Sequence, residues 1–365
     1  MERLVELPVF GEDGRVETTR GYHPGSRTYY WPPAGFVLPD LPPNPVEMVP
    51  VARTLVVDEV LRDFPFVTAA DRAHAVAGLL LPFARGLFER PTPLHLISAP
   101  TRGTGKTLLA RAIAFPAAGS TLAVQTEARD EEEWRKRIGA ALSAGPSIIL
   151  FDNLLGRLES AALAGVLTAE AWTDRRLGHN DQTIQYPNRA LWLASADNLY
   201  LSDEMVRRTA PIYLDVHLER PYERAPGTFL HPNLLRWAAQ TRSILVWAAI
   251  TLVQAWVVEG RPLGSVTIGS FEAWAETMGG MLQVAGIDGF LANIGTFRDE
   301  FDAESAGRRG FITALWEAFG SAPFGAGQAL RVYRAGEDFL DLETSRPVTD
   351  RSAEAIGGRH RPLCA

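Results

Sequence analysis

The chain is expected to fold as an α/β protein: a central parallel sheet flanked by helices, a small helical lid after it, and a helical module at its end. Three observations predict this. Short apolar runs of strand length, at 94–98, 147–151 and 189–194, lack polar alternation, which marks strands buried on both faces. Segments of helical periodicity lie between them, as the crossovers of a parallel sheet require. One strand–helix junction, LHLISAPTRGTGKTLLARAIA at 94–114, carries a turn rich in Gly and Thr with Gly105-Lys106-Thr107 at its end.

Composition sets the outer bounds. The chain has 365 residues, 46% hydrophobic and 22% charged, with a formal charge of −7, which suits two or three domains with ample core. Mild acidity argues against coating nucleic acid by bulk charge and leaves room for a local basic element. The single Cys364 excludes a disulfide framework. The N-terminus has acidic residues and no long apolar run, so no signal peptide is expected. The apolar stretch 244–258 is too short to span a bilayer and contains Gln254, so it reads as a core helix. No membrane partner and a cytoplasmic setting are expected.

In chain order, residues 1–51 are rich in Pro, Gly and aromatics (GYHPGSRTYYWPPAGFVLPDLPPNP) and read as short strands and an extended segment. Their role is to drape over the core or to link to another module. Helices begin near Ala52. Val76, Leu79, Leu80, Phe83 and Leu87 mark one face of a helix ending before Pro91. The preceding Asp63-Phe64-Pro65-Phe66 is either a core cluster or the neighbour of a bound purine. A second strand is expected at 121–126 and an amphipathic helix at 130–142, with Trp134, Ile138, Ala141 and Leu142 inward. Residues 176–186 read as a hairpin tipped by Gly178-His179-Asn180-Asp181. A short helix at 203–209 precedes a fifth strand at 211–216. Helices at 233–240, 243–256 and 271–284 form the lid. After Phe301, two helices separated by Ser321-Ala322-Pro323 read either as the start of a winged-helix-like module or as a packing appendage. The expected divisions are 1–51, 52–226, 227–300 and 301–365.

The chemistry gathers at the glycine turn. Glycines let backbone N–H groups turn inward around phosphates, and the helix N-terminus adds partial positive charge. Pro100, Gly103, Thr104, Gly105, Lys106, Thr107 and Leu108 make up this candidate cradle. Lys106 would reach the β- and γ-phosphates, and Thr107 would hold Mg²⁺ with Asp152, which is expected to cap the C-terminal end of the 147–151 strand. Pro100 stands where the usual pattern begins with Gly, a position that needs a turn more than a donor. The chain has two lysines, Lys106 and Lys136, and uses Arg elsewhere, so Lys106 answers a demand for a compact ammonium. Asn153 follows Asp152, where a glutamate would polarise water; an amide orients water but accepts protons poorly. Glu159, Glu170 and Asp174 are the carboxylates that could assist. Asn198, after the 189–194 strand, is expected to contact the γ-phosphate or the attacking water. Arg207 and Arg208 suit an arginine finger supplied to a neighbouring subunit. Arg242 either reaches back to the nucleotide or lies at the surface.

The order APTRGTGKT, SIILFDN, ASADN, VRRT and PIYLDV resembles the AAA+ ATPase core. The phrases EEEWRKRI, AWTDRRLG, LASADNLYLSDEMVRRTAPIYLD, GSFEAWAETMGGMLQVAGIDGFLAN and GYHPGSRTYYWPP are similar to the helicase portion of phage- and plasmid-type primase–helicase proteins, grouped near the superfamily 3 helicases. The likeness covers roughly residues 20–300. It implies a hexameric ring with ATP bound between subunits and DNA in the pore; the primase or polymerase is expected either as a partner or as the rest of a longer protein from which this chain is cut. It implies a pore-facing hairpin that maps here to Arg175, Arg176 and His179, and finger duty for Arg207 or Arg208. An acidic residue beside a γ-phosphate is repulsive, so Asp197 is expected to point elsewhere. The function implied is an ATP-dependent DNA helicase or translocase; the alternative is an AAA+ loader or switch that assembles on ATP without unwinding.

Overall fold

A computed structural model describes residues 3–88, 90–119, 122, 124–175, 183–218, 227 and 229–335. The N-terminal segment forms five short strands: β1 (Arg3–Val5), β2 (Val9–Phe10), β3 (Val16–Glu17), β4 (Gly21–His23) and β5 (Thr28–Tyr30). A three-stranded sheet has the order β1-β5-β4, and β2 pairs with β3. Val5, Val9 and Tyr30 form a small core beneath them. Trp247 Nε1 donates to the Asp40 carbonyl and Arg261 Nη2 to the Glu12 carbonyl, both at 3.0 Å. Of the two roles open to this segment in the sequence, the structure shows draping.

Helix α1 (Val49–Arg53) runs into a π-helical turn at Thr54–Val60, and α2 (Ala69–Ala84) follows. Thr68 and Asp71 close a capping box at the start of α2: Thr68 Oγ1 accepts from Asp71 N at 3.3 Å, and the Asp71 carboxylate accepts from Thr68 N at 2.8 Å. Asp71 also accepts from Tyr213 N and Asn293 Nδ2, each at 2.9 Å, so this buried carboxylate has donors on all sides.

The central sheet is built from β6 (Leu94–Ala99), β7 (Val124–Gln125), β8 (Ile148–Leu158), β11 (Leu191–Leu201) and β12 (Thr209–Tyr213). Its spatial order is β12-β6-β11-β8-β7, with every pair parallel. Helices α3 (Lys106–Ala118), α4 (Glu131–Ser143), α5 (Ala161–Leu167) and the short α6 (Asp203–Val206) lie in the connections. Leu94, Ile97, Leu150, Phe151 and the run Leu191, Trp192, Leu193, Ala194 are buried, as strands covered on both faces should be. Between β8 and β11, β9 (Ala171–Arg175) and β10 (Thr183–Pro187) form an antiparallel hairpin. Its expected tip, with Arg176 and His179, lies outside the described residues.

Two strands differ from expectation. β8 and β11 each run for eleven residues, so Asp152 does not cap β8, and β11 does not stop before Ser195. The two extend together because their ladder continues to Leu158 and Leu201 after two register shifts, and both of those leucines are buried.

Beyond β12 come α7 (Leu234–Gln240), α8 (Arg242–Val258) and α9 (Glu272–Val284). α9 sets Trp274 edge-on against His95 of β6, with ring centroids 5.6 Å apart. His74 of α2 accepts from Leu291 N at 3.2 Å through Nε2, while its Nδ1–H donates to the Pro211 carbonyl at 2.6 Å. Aromatic and hydrogen-bonded contacts thus bind the expected lid helices to the sheet, and residues 1–294 make one compact unit. The described residues 295–335 belong to the second. Helix α10 (Ile294–Phe319) runs unbroken through Phe301, where a change of module was expected, and α11 (Ala326–Ala335) follows. Phe311 and Tyr333 join these helices, ring edge to face, at 5.5 Å. The tail from 336 lies outside the described residues. Among the described residues no single helix is long and apolar enough to cross a membrane.

Candidate functional site

The glycine turn sits at the C-terminal edge of the central sheet, the edge where open parallel sheets bind ligands. β6 delivers the chain into residues 100–105 and α3 takes it away. Gly103 and Gly105 both have left-handed backbones, φ 79° and 106°, which a side chain would strain. Thr104, 4% exposed, braces the turn by donating to the Thr101 carbonyl at 2.7 Å. Phe64 lies on the outer side of Gly105, where an added Cβ would come within 3.8 Å of its ring.

Lys106 heads α3 with its side chain 9% exposed, a poor environment for an unpaired ammonium. Asp197 neutralises it directly, and Arg102 Nε approaches the same carboxylate at 3.6 Å. The Lys106 ammonium also donates to the Thr101 carbonyl at 3.3 Å. This corrects the expectation that Asp197 points elsewhere. That expectation weighed the carboxylate against a phosphate; the poorly exposed Lys106 ammonium itself demands a counter-charge, and β11 supplies it. Asp197 stands opposite Ala99 of β6, one step from the loop.

Asp152 lies two strands from β6. The ladder shows how it is aimed: Phe151 pairs with Ala194 and Leu154 with Ala196, so β8 carries one residue more than β11 between these pairs. The resulting bulge holds Asp152 and Asn153 opposite Ser195. Thr107 Oγ1 donates to Asp152 Oδ1 at 2.8 Å. Ser195 Oγ donates to the same oxygen and accepts from Asn153 N, the latter at 2.9 Å. Asn153 has φ 60°, a left-handed conformation that Asn tolerates better than most residues. The bulge gives Asn153 a backbone reason for its identity beside the water-orienting one.

The other expected residues fall as follows. Pro100 and Leu108 are exposed at the two ends of the turn. Arg242 is not at the cradle. Its Nε and Nη2 donate to the Pro116 and Ala117 carbonyls, each at 3.2 Å, so it caps the far end of α3, about 18 Å along the helix from Lys106. Carbonyls at a helix C-terminus attract a cation, and this end was the nearer partner. Burial pulls the Arg242 guanidinium below its usual pKa range. Arg208 is held by Glu204, with Nη2 3.1 Å from Oε1, whereas Arg207 is exposed. The Arg208 carbonyl accepts from Leu94 N, so this pair stands at the opposite end of β6 from the glycine turn. Glu159 pairs with Arg157 at 2.8 Å and Glu170 with Arg90 at 2.7 Å, while Asp174 faces Gly139 of α4. The Arg175 backbone ends β9; its side chain and that of Asn198 lie outside the described residues.

The sequence reading missed two members of the cluster, Ser195 and Asp197 as a partner of Lys106. Their i, i+2 spacing puts them on one face of β11. Among the described residues no group of three or more His, Cys, Asp and Glu could hold a metal alone. A hydroxyl beside one carboxylate fits Mg²⁺ held jointly with substrate phosphates, which needs only one or two protein ligands.

No family model and no curated protein matches the chain. Three solved structures of the C-terminal region of NrS-1 are similar to it. An A-form apo structure is 12% identical, covering 85% of this chain and 66% of that one, with TM-score 0.38. The apo structure of residues 305–718 is 13% identical, covering 93% and 70%, with TM-score 0.36. An A-form apo structure of that region is 13% identical, covering 93% and 71%, with TM-score 0.35. The chain therefore spans about two thirds of the first of these. Likenesses of this strength carry no argument about activity.

Proposed function

We propose that this chain is an ATP-driven DNA translocase or helicase of a mobile-element replication system, working as a ring with ATP bound between subunits. The observation that carries the reading is the cluster at the edge of the central sheet: Lys106 on Asp197 and Thr107 on Asp152, around a turn with two left-handed glycines. A phosphate would meet inward N–H groups, the N-terminus of α3 and the Lys106 ammonium. Thr107 and Asp152 would hold Mg²⁺, which when bound neutralises charge shared by the β- and γ-phosphates. Ser195 keeps the Asp152 carboxylate turned toward Thr107. Phe64, in the core beside Gly105, would give a purine bound there an apolar neighbour.

Ring assembly is supported by Arg207. It is exposed, and β6 separates it by about 16 Å from its own glycine turn, so its natural target is a neighbouring subunit's phosphates. Arg175, Arg176 and His179 on the hairpin would carry DNA phosphates along the pore, and such backbone contact is sequence-independent and salt-sensitive. The test is strand displacement on a forked duplex with ATP and Mg²⁺, alongside the Lys106→Ala variant. ATP-dependent release of the labelled strand by the wild type alone supports the helicase reading. ATP-dependent assembly with no strand release would assign the chain to the loader or switch class instead.

A further inference from the structure

The small N-terminal sheet has two unlike faces. Val5 and Tyr30 turn into its core, whereas Leu4, Tyr22 and Trp31 are 61%, 48% and 47% exposed. The strand register joins these three into one surface. Tyr29 of β5 is the direct partner of Leu4 on one side and of Tyr22 on the other. Trp31 follows Tyr29 by two residues and so shares its face, with ring centroids 6.3 Å apart. Arg20 precedes Tyr22 by two, and its guanidinium carbon lies 3.0 Å from the centre of the Trp31 ring. Among the described residues Arg20 has no carboxylate partner. Glu6, the acidic residue two positions beyond Leu4, acts on Arg242.

An exposed patch of this kind marks a binding surface. The residue types narrow the class of partner. Apart from Leu4 the patch is made of flat rings and a planar cation. Flat rings stack on nucleobases, every one of which has a π-face, and a guanidinium with no carboxylate partner among the described residues meets a phosphate. A second copy of the chain fits poorly. Five side chains fall well short of the roughly 800 Å² per partner of a stable interface. We propose that this face is a platform for single-stranded nucleic acid, on which Tyr22, Tyr29 and Trp31 stack bases while Arg20 contacts the backbone. The proposal is independent of the nucleotide cluster.

The experiment uses the full chain, an oligo-dT strand of about twenty nucleotides, and an abasic strand of the same length. Trp31→Ala and Tyr22→Ala should each weaken oligo-dT binding about tenfold in fluorescence anisotropy. Neither should change the salt slope, because neither removes a cation, whereas Arg20→Ala should reduce it by about 0.7. The abasic strand should be insensitive to both aromatic variants, and Trp31→Phe should retain most of the affinity. A strand carrying 5-iodouracil should cross-link under near-ultraviolet light to the peptide spanning 20–31. The proposal is overturned if both aromatic variants bind oligo-dT as the wild type does. It is equally overturned if Trp31→Ala abolishes self-association in sedimentation while leaving DNA binding intact, which would make the face a protein interface.

Discussion

The central sheet and the N-terminal sheet present chemistry in opposite ways. Five parallel strands covered on both faces leave only their ends free, so the polar groups collect at the C-terminal edge around Lys106, Asp152, Ser195 and Asp197. The three-stranded sheet covers one face with Val5 and Tyr30 and leaves the other open, so its exposed side chains stand on the face itself. An edge site is assembled from several strands and depends on register. A face site depends on residues two apart on one strand and directly opposite on the next. One backbone pattern thus yields a cradle in the first region and a platform in the second.

Five substitutions or conditions would break or sharpen that contrast. Lys106→Ala should have the largest effect, lowering ATP turnover more than about 10³-fold in phosphate-release assays while the N-terminal face keeps its properties. Arg207→Ala should lower turnover about 10²-fold with nucleotide affinity largely intact; full activity in this variant and in Arg208→Ala would remove the subunit-bridging role. Gly86→Ala probes the seam between the regions, since a Cβ there would run into the Phe10 carbonyl. It should cost about 1–3 kcal/mol, read as a lower Tm.

Acid should then loosen the central unit rather than the N-terminal face. His95 is fully buried on β6, and burial together with the nearby His74 pushes its pKa down to about 3. The folded pKa lies below the ordinary value of 6.5, so the unfolded chain binds more protons between pH 6.5 and 3, and stability falls as pH drops through that window. From neutral pH to 5.5 the loss from His95 alone is about 1.2 kcal/mol, measurable by denaturant titration. Burial lowers the His74 pKa as well, in the same direction. The smallest expected change is at Asp197. Asp197→Asn removes the anion that competes with phosphate for Lys106, so ADP should bind about fivefold to tenfold more tightly by calorimetry.

The Gly105-Lys106-Thr107 turn was legible in the sequence because its glycines serve a local backbone demand. The buried strands were legible for the same kind of reason, as uninterrupted apolar runs. What depends on register between distant strands was not. The Lys106–Asp197 pair and the Ser195 bridge to Asp152 require β6, β11 and β8 to be neighbours, and their order is not written in any one segment. The bulge that turns Asn153 left-handed arises only when β8 is laid against β11. Arg242 read either as reaching back to the nucleotide or as lying at the surface; the α3 carbonyls that hold it come within reach only once α8 packs beside α3. The Leu4–Tyr29–Tyr22 row was hidden in a segment whose Pro and Gly content reads as linker.

The central claim is that the glycine turn hydrolyses ATP in a site completed by a neighbouring subunit around DNA. It is tested most directly by the ATP turnover rate per subunit as protein concentration is raised, with and without single-stranded DNA. A rate per subunit that climbs with concentration and rises again with DNA is the predicted result. A rate independent of both, still abolished by Lys106→Ala, would mean a self-contained phosphate site and would contradict the ring.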